Sequence, residues 1–430
     1  MMGCHAKDAP TPPAAPVLGS LEAWAGSTAT IHGAALAAGG DSAILHLSDT
    51  TLALTRQNDT TMSFAVPSTM GGQFFVHLDL NGESAYLGLL HVDGYADMQT
   101  YAPNIVYDAY PLRTGAHAVV IGGSSLFSGN VERVGFTLFD LDSRSLTTYD
   151  SVLEYGTLHG PGPTSDDSAF VLAGRDGLLR TWRLTAARSI VEVEPAYNAG
   201  PGLWQAMRLS SNAWITTGKR DAIITVRPDT AHPFVQVNDL SISEPQGVYL
   251  SPRRDRATIT VAFAASGIPV FAASGDVAYS VAQLHNARAV DFSATGDALA
   301  IVGGASSNPS EPSRLLLLNA TTGAVLRDTL LGSPAFAATF DRTRPVLYVG
   351  LTGIGGFPSV LVLDASSLAV LGTLSVPTTG MACEQQDCIH GVIALSASNA
   401  LYVFWSYNGP TRAYRFTLPA AGGAARAVPR

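Results

Sequence analysis

AVDFSATGDALAIVGG (289–304) and RLLLLNATTGAVLRDTLL (314–331) together hold four short apolar runs, each closed by turn residues. Ala-Thr-Gly-Asp (294–297) and Ala-Thr-Thr-Gly (320–323) are turn sequences, in which Gly, Asp and Thr satisfy or relax the backbone. Runs such as RLLLLN are apolar at every position rather than at every second one. That pattern belongs to strands buried on both faces. The same order returns in AFAATF, DRTR, PVLYVG, SVLVLD, ASS and LAVLGTLSV (335–376). It returns again in AMRLS, SN, AWITTG and AIITVR (206–227). Seven times an apolar strand closes near a marker: Gly122, Gly174, Gly218, Ala264, Gly303, Gly350 and Trp405. The markers lie 39 to 55 residues apart. A repeat of about 40–50 residues built from strands alone predicts the blades of a β-propeller.

The repeats occupy residues 96–419, about 46 residues for each of seven blades. The last blade stops after TRAYRFTLP (411–419) and lacks an outer strand. The segment around Met98–Tyr107, left over before the first blade, is the expected donor. Pairing the two ends in one blade closes the ring and removes an exposed strand edge.

Residues 16–95 have a different texture, with six or seven short strands and alternation in Thr28-Ala29-Thr30-Ile31-His32 and Phe75-Val76-His77-Leu78. This predicts a small sandwich. Residues 1–15 read as a Pro-rich tether and 420–430 as a flexible tail. The expected fold class is therefore all-β: a small Ig-like sandwich followed by a seven-bladed β-propeller.

Composition narrows the partners. Of 430 residues, 47% are hydrophobic and 14% charged, with 42 Gly and 25 Pro, as in a folded, turn-rich protein. The formal net charge is −9, and Lys7 and Lys219 are the only lysines. With no cluster of Lys and Arg, nucleic acid is not an expected partner. No apolar run reaches the length of a membrane-spanning helix.

Four resemblances add to this reading. Residues 16–95 resemble the IPT/TIG family of immunoglobulin-like domains. The likeness rests on Pro16, Gly26 before TATIH, Gly33, Ser63-Phe64-Ala65-Val66-Pro67 and the Gly71-Gly72-Gln73-Phe74-Phe75-Val76 strand. Ala34-Ala35-Leu36 stand where that family usually has Asn-Phe. The resemblance implies a spacer or binding module rather than a catalyst. FVLAGRDGLLRTWRL (170–184) looks like a tryptophan–aspartate repeat, with Gly174, Asp176, Gly177 and Trp182 in register. The fifth and sixth blades resemble YVTN-type bacterial surface propellers. Met1-Met2-Gly3-Cys4 is similar to a bacterial lipobox, and His5 to Pro16 would follow it as a tether. That likeness implies lipidation at Cys4, a periplasmic or cell-surface location and membrane contact only through the lipid. It also expects an in-frame basic and apolar segment upstream of Met1.

Cys383 and Cys388 flank Glu-Gln-Gln-Asp in the long loop before the last blade. In an exported protein they would form a disulfide; in a reducing compartment they would be two thiols. A zinc site from Cys383, Cys388 and His390 lacks a fourth ligand, so no metal is assigned. Asp79-Leu80-Asn81-Gly82 and Asp140-Leu141-Asp142 lack the calcium-loop spacing and read as turns. No Walker loop, nucleophile elbow or zincin motif occurs, and no cofactor is expected.

Inner strands of a propeller open on its central channel. Counting fifteen residues back from the markers gives His159, Leu203 beside Trp204, Arg288 and His390, and aligning GVYLS in the fourth blade adds Gln246. His159, Trp204, Gln246, Arg288 and His390 are the expected ligand-binding set at the channel mouth; ordinary solvated lining is the alternative. The functional expectation is a non-enzymatic scaffold of the bacterial cell envelope whose propeller engages a protein partner. The rival is a lyase or lactone hydrolase with His159 or His390 as general base and Arg288 steadying an anion.

Overall fold

A computed structural model describes residues 15–93 apart from 25, 39–42 and 68–71. It also describes the strands between Ala96 and Gln236, residues 242–375 apart from 307–310 and 352–358, and the strands between Gly391 and Thr417. Side-chain surroundings are described chiefly in the first span and in 248–375. The chain divides into two compact units, one carried by Met1–Tyr95 and one beginning at Ala96.

The first unit has nine strands among its described residues. They are β1 (Val17–Leu18), β2 (Glu22–Trp24), β3 (Thr28–His32), β4 (Ile44–Leu47), β5 (Thr50–Leu52), β6 (Thr55–Asn58), β7 (Thr61–Ala65), β8 (Gly72–Leu80) and β9 (Glu83–Asp93). They form two sheets, β1-β3-β7-β6 and β2-β9-β8-β4-β5. One core serves both: Ile31, Met62 and Phe64 from the first sheet meet Leu45, Leu47, Val76, Leu78, Leu90 and Val92 from the second. The stretch TLALTR (51–56) spans the end of one strand and the start of the next. β5 and β6 lie in different sheets, and the chain crosses the sandwich at Ala53–Leu54. Short strands that change sheets carry no signal of their own, which is why nine strands stand where six or seven were expected. Asn81 and Gly82, both at positive φ, turn β8 into β9. Asn-Gly is the pair that a two-residue hairpin of this hand favours.

The second unit is a ring of seven sheets among the described residues, six of four strands and one of five. Blades one to six lie between Ile105 and Leu153, Gly162 and Asn198, Leu203 and Gln236, Ile242 and Val281, Ala289 and Leu330, and Ala335 and Ser375. The seventh holds Gly391–Leu395, Ala400–Trp405 and Thr411–Thr417. Its fourth strand is β10 (Ala96–Tyr101), antiparallel to Thr411–Thr417 with Ala96 opposite Phe416 and Tyr101 opposite Thr411. The expected closure is thus made by the front of the leftover segment, because Ile105 already opens the first blade.

Packing explains the unbroken apolar runs. In blade five Leu316 and Leu318 enter a core shared with blade four. Leu315 and Leu317 enter a second core shared with blade six. Both faces of the strand are buried, so both sets of alternate residues must be apolar. The outermost strand, Val325–Leu330, is exposed along nearly its whole length.

Polar clamps hold the inner-to-second-strand turns. Asp341 and Arg344 of blade six are almost fully buried as an ion pair 2.7 Å apart. Asp341 also accepts from the amides of Thr343 and Arg344 and from the Tyr348 hydroxyl. Asp291 of blade five accepts from the amides of Phe292 (2.9 Å) and Phe340 (2.8 Å), the second in blade six. Arg342 bridges both of its oxygens. Burial pushes this carboxyl up, against the pull of Arg342 and the two amides. Arg253 and Asp297 form a more exposed ion pair between the corresponding turns of blades four and five.

Candidate functional site

The rim opposite these turns carries the starts of the inner strands and the loops leading to them. Arg288 stands directly before the inner strand of blade five, Ala289–Phe292, and its amide donates to the Val302 carbonyl at 2.8 Å. Its Nη1 donates to the Glu311 carbonyl (3.2 Å) and to Ser313 Oγ (3.0 Å). Its guanidinium lies 5.1 Å from the centre of the Phe336 ring on the inner strand of blade six. That distance is a cation–π contact. Ser313, fully buried, also accepts from the Ala335 amide at 2.9 Å, so Arg288 and Ser313 tie the seam of blades five and six. Burial lowers the Arg288 pKa, and the Glu311 charge opposes the shift. Arginine remains a cation at neutral pH under such a shift.

Next to Arg288 the loop from blade four is held rigidly. Asn286 accepts from the Gly304 amide at 2.6 Å and donates to the Ser306 carbonyl. A Cβ at Gly303 would collide with the Asn286 carbonyl. This is the physical reason for glycine at that repeat marker: backbone approaches backbone there. His285 bonds the Ala264 carbonyl at 3.1 Å, and its ring stacks on Phe263 at 6.0 Å. Glu311 accepts from Ser306 Oγ at 2.7 Å. Phe263, His285, Arg288, Glu311 and Phe336 thus form one half-buried strip across the rim of blades four to six. It offers two aromatic faces, one cation and one anion. Among the described residues no group of three or more His, Cys, Asp or Glu is placed to hold a metal.

Of the expected set, Arg288 stands where the repeat count put it. Trp204 is the second residue of the inner strand Leu203–Ser210 of blade three. Gln246 lies inside the strand Ile242–Leu250, where the ladder skips between Pro245 and Val248. Proline cannot donate to a ladder, so the inner strand of blade four is longer and more irregular than the GVYLS alignment implies. The side-chain surroundings of Trp204 and Gln246, as well as His159, His390, Cys383, Cys388 and Cys4, lie outside the described residues. The sequence reading missed Phe336, Phe263 and Glu311. The signal for Phe336 was present: the same fifteen-residue count from Gly350 lands on Ala335, beside it.

No family model matches the chain, and no curated protein matches it in sequence. Solved structures do match in shape. Sqt1 from Chaetomium thermophilum is 14% identical with a TM-score of 0.50, over 72% of this chain and 82% of that one. A chain of the mitotic checkpoint complex is 12% identical with a TM-score of 0.51, over 75% and 94%. The structure of Chaetomium thermophilum Sqt1 bound to the N-terminus of the ribosomal protein L10 is 14% identical with a TM-score of 0.49, over 70% and 82%. At such identities the likeness is one of fold. Seven sheets in a ring, closed by a strand from before the first blade, and solved neighbours of the tryptophan–aspartate propeller type make this chain an all-β protein with a β-propeller.

Proposed function

We propose that this chain is a non-enzymatic scaffold whose propeller binds a partner protein through the rim of blades four to six. The observation that carries the reading is the strip of Phe263, His285, Arg288, Glu311 and Phe336. Half-buried aromatic residues beside an arginine, on a rigid frame, have the composition of protein-binding hot spots. The strip pairs no nucleophile with a base, and its His285 and Glu311 belong to no trio of metal-ligating residues among the described ones, which favours recognition over catalysis. A propeller of similar fold belongs to a multi-protein assembly, the mitotic checkpoint complex, in keeping with a binding role. The finer reading follows from the sequence. The amino-terminal sandwich is an IPT/TIG-like spacer, Cys4 carries a lipid, and the partner belongs to an assembly of the bacterial envelope.

The test is affinity isolation of the full chain from its native membrane fraction, with mass spectrometry of the proteins retained. A reproducible partner is expected, and both Arg288→Gln and Phe336→Ala should release it. Retention of the same partner by both variants overturns the assignment of the rim. Recovery of the chain from the soluble cytoplasmic fraction without lipid overturns the envelope reading alone.

A further inference from the structure

Arg288 and Glu311 share the rim of blades four to six without forming an ion pair. Arg288 turns its guanidinium into the frame. Its Nη1 donates to the Glu311 backbone carbonyl and to Ser313 Oγ, and the group lies against the Phe336 ring. The Glu311 carboxylate accepts from Ser306 Oγ at 2.7 Å. Among the described residues no other donor and no cation pairs with it. Glu311 is half-buried, and a carboxylate that has lost part of its hydration is stabilised by an opposite charge.

The position of this carboxylate is fixed at both ends. Arg288 holds the backbone of Glu311, and Ser306 holds its side chain. The Ser306 carbonyl in turn accepts from Asn286 Nδ2, and Asn286 accepts from the Gly304 amide. Glu311 Oε2 lies against Gly304: a Cβ there would stand 3.1 Å from it, closer than such contacts ordinarily come. The Gly304 carbonyl accepts from the amides of His285 (3.0 Å) and Asn286 (3.3 Å). The stacked rings of His285 and Phe263 are therefore anchored on the same glycine that the carboxylate touches. A carboxylate already held in place beside stacked rings needs little ordering when a ligand arrives.

We infer that Glu311 receives an arginine of the partner protein, with the guanidinium paired to the carboxylate and its plane against the Phe263–His285 stack. This rests on the reading of the rim as the partner's seat and names the chemistry that the seat selects. A guanidinium donates two parallel hydrogen bonds to a carboxylate and stacks on aromatic rings, and an ammonium has neither the fork nor the plane. The net charge of −9 draws basic segments towards the chain at long range. An acidic segment would meet the like charge of Glu311, while Arg288 is engaged with the frame.

The test is fluorescence-anisotropy titration of three labelled peptides with the full chain: acetyl-Leu-Arg-Leu-Arg-Leu-amide and its lysine and glutamate counterparts. The arginine peptide binds tightest, the glutamate peptide does not bind, and Glu311→Gln weakens the arginine peptide about tenfold or more while leaving thermal unfolding in place. Asp328→Asn, an exposed carboxylate elsewhere on blade five, leaves binding unchanged. No binding of the arginine peptide overturns the inference, as does equal binding of the lysine peptide or undiminished binding to Glu311→Gln. The affinity isolation above separates the two readings. A partner released by Arg288→Gln and Phe336→Ala but kept by Glu311→Gln overturns this inference alone. A partner kept by all three variants overturns the assignment of the rim as well.

Discussion

Blade five and the amino-terminal sandwich are both antiparallel β structure, yet they bury their strands differently. Arg314–Asn319 in the blade sends successive leucines into two separate cores. Ile44–Leu47 in the sandwich sends Leu45 and Leu47 into one core and leaves Ile44 and His46 outside. A sheet stacked between two others has no free face, so recognition by a propeller falls to its rims. A sheet in a two-layer sandwich keeps one face in water, and that face can carry aromatic and polar side chains at no cost to the core. The lesson is that the same element offers different binding geometry according to how many neighbours it has.

The largest effect expected from this contrast is at the buried clamp. Asp341→Ala leaves Arg344 charged and buried, and should cost about 3–5 kcal/mol. Asp79→Ala, at the exposed pair with His46 on the sandwich, should leave the unfolding midpoint nearly unchanged. Denaturant unfolding of both variants checks this, and similar losses would mean that burial does not separate the two pairs.

Two-sided burial comes next. Leu316→Ala and Leu317→Ala should each cost about 2–5 kcal/mol, because each opens a different core. In the sandwich Leu45→Ala should fall in the same range, while the adjacent His46→Ala should cost no more than about 1 kcal/mol. A tolerant Leu317 would break the contrast.

A smaller effect is expected at the seam between blades five and six. Asp291→Ala removes the acceptor of the Phe292 and Phe340 amides and should cost about 1–3 kcal/mol. Slower hydrogen exchange at either amide in the variant would contradict that role.

The smallest expected effect is at the surface of blade five, where Arg314 and Asp328 pair through two hydrogen bonds. Arg314 holds the Asp328 carboxyl below the usual carboxylate range. A carboxyl lowered on folding stabilises the protein above its unfolded pKa of about 3.9 and loses that contribution as pH falls through the lower, folded value. The exposed pair should contribute about 0.2–1 kcal/mol at neutral pH. The difference in melting temperature between the native chain and Asp328→Asn should therefore close as pH falls below the carboxylate range. A difference that grows in acid would refute the assignment.

Strand signals were legible wherever burial was two-sided or regular. RLLLLN and SVLVLD could be read without the structure because continuous apolar runs bounded by turns have few other uses. The crossing at Ala53–Leu54 was not legible, because a change of sheet leaves no mark on alternation. The place of Arg288 at the start of an inner strand was legible from periodicity, since a repeat sets equivalent positions at equal offsets. Its partners were not found, because Glu311 and Ser313 reach it from a loop and Phe336 from the next blade.

By itself the sequence determined the repeat, the turns that punctuate it and the need for one end of the chain to complete the blade left short at the other. These follow from local rules of hydrophobic period, turn chemistry and edge protection. Only the tertiary structure decided what Arg288 touches, why Gly303 must lack a side chain, and that Phe75 and His77 gather around Tyr86 outside the core. Such contacts join residues on different strands or blades. Their geometry depends on register and, beside Tyr86, on the bulge between Val76 and His77, and a one-residue slip would turn each side chain to the opposite face.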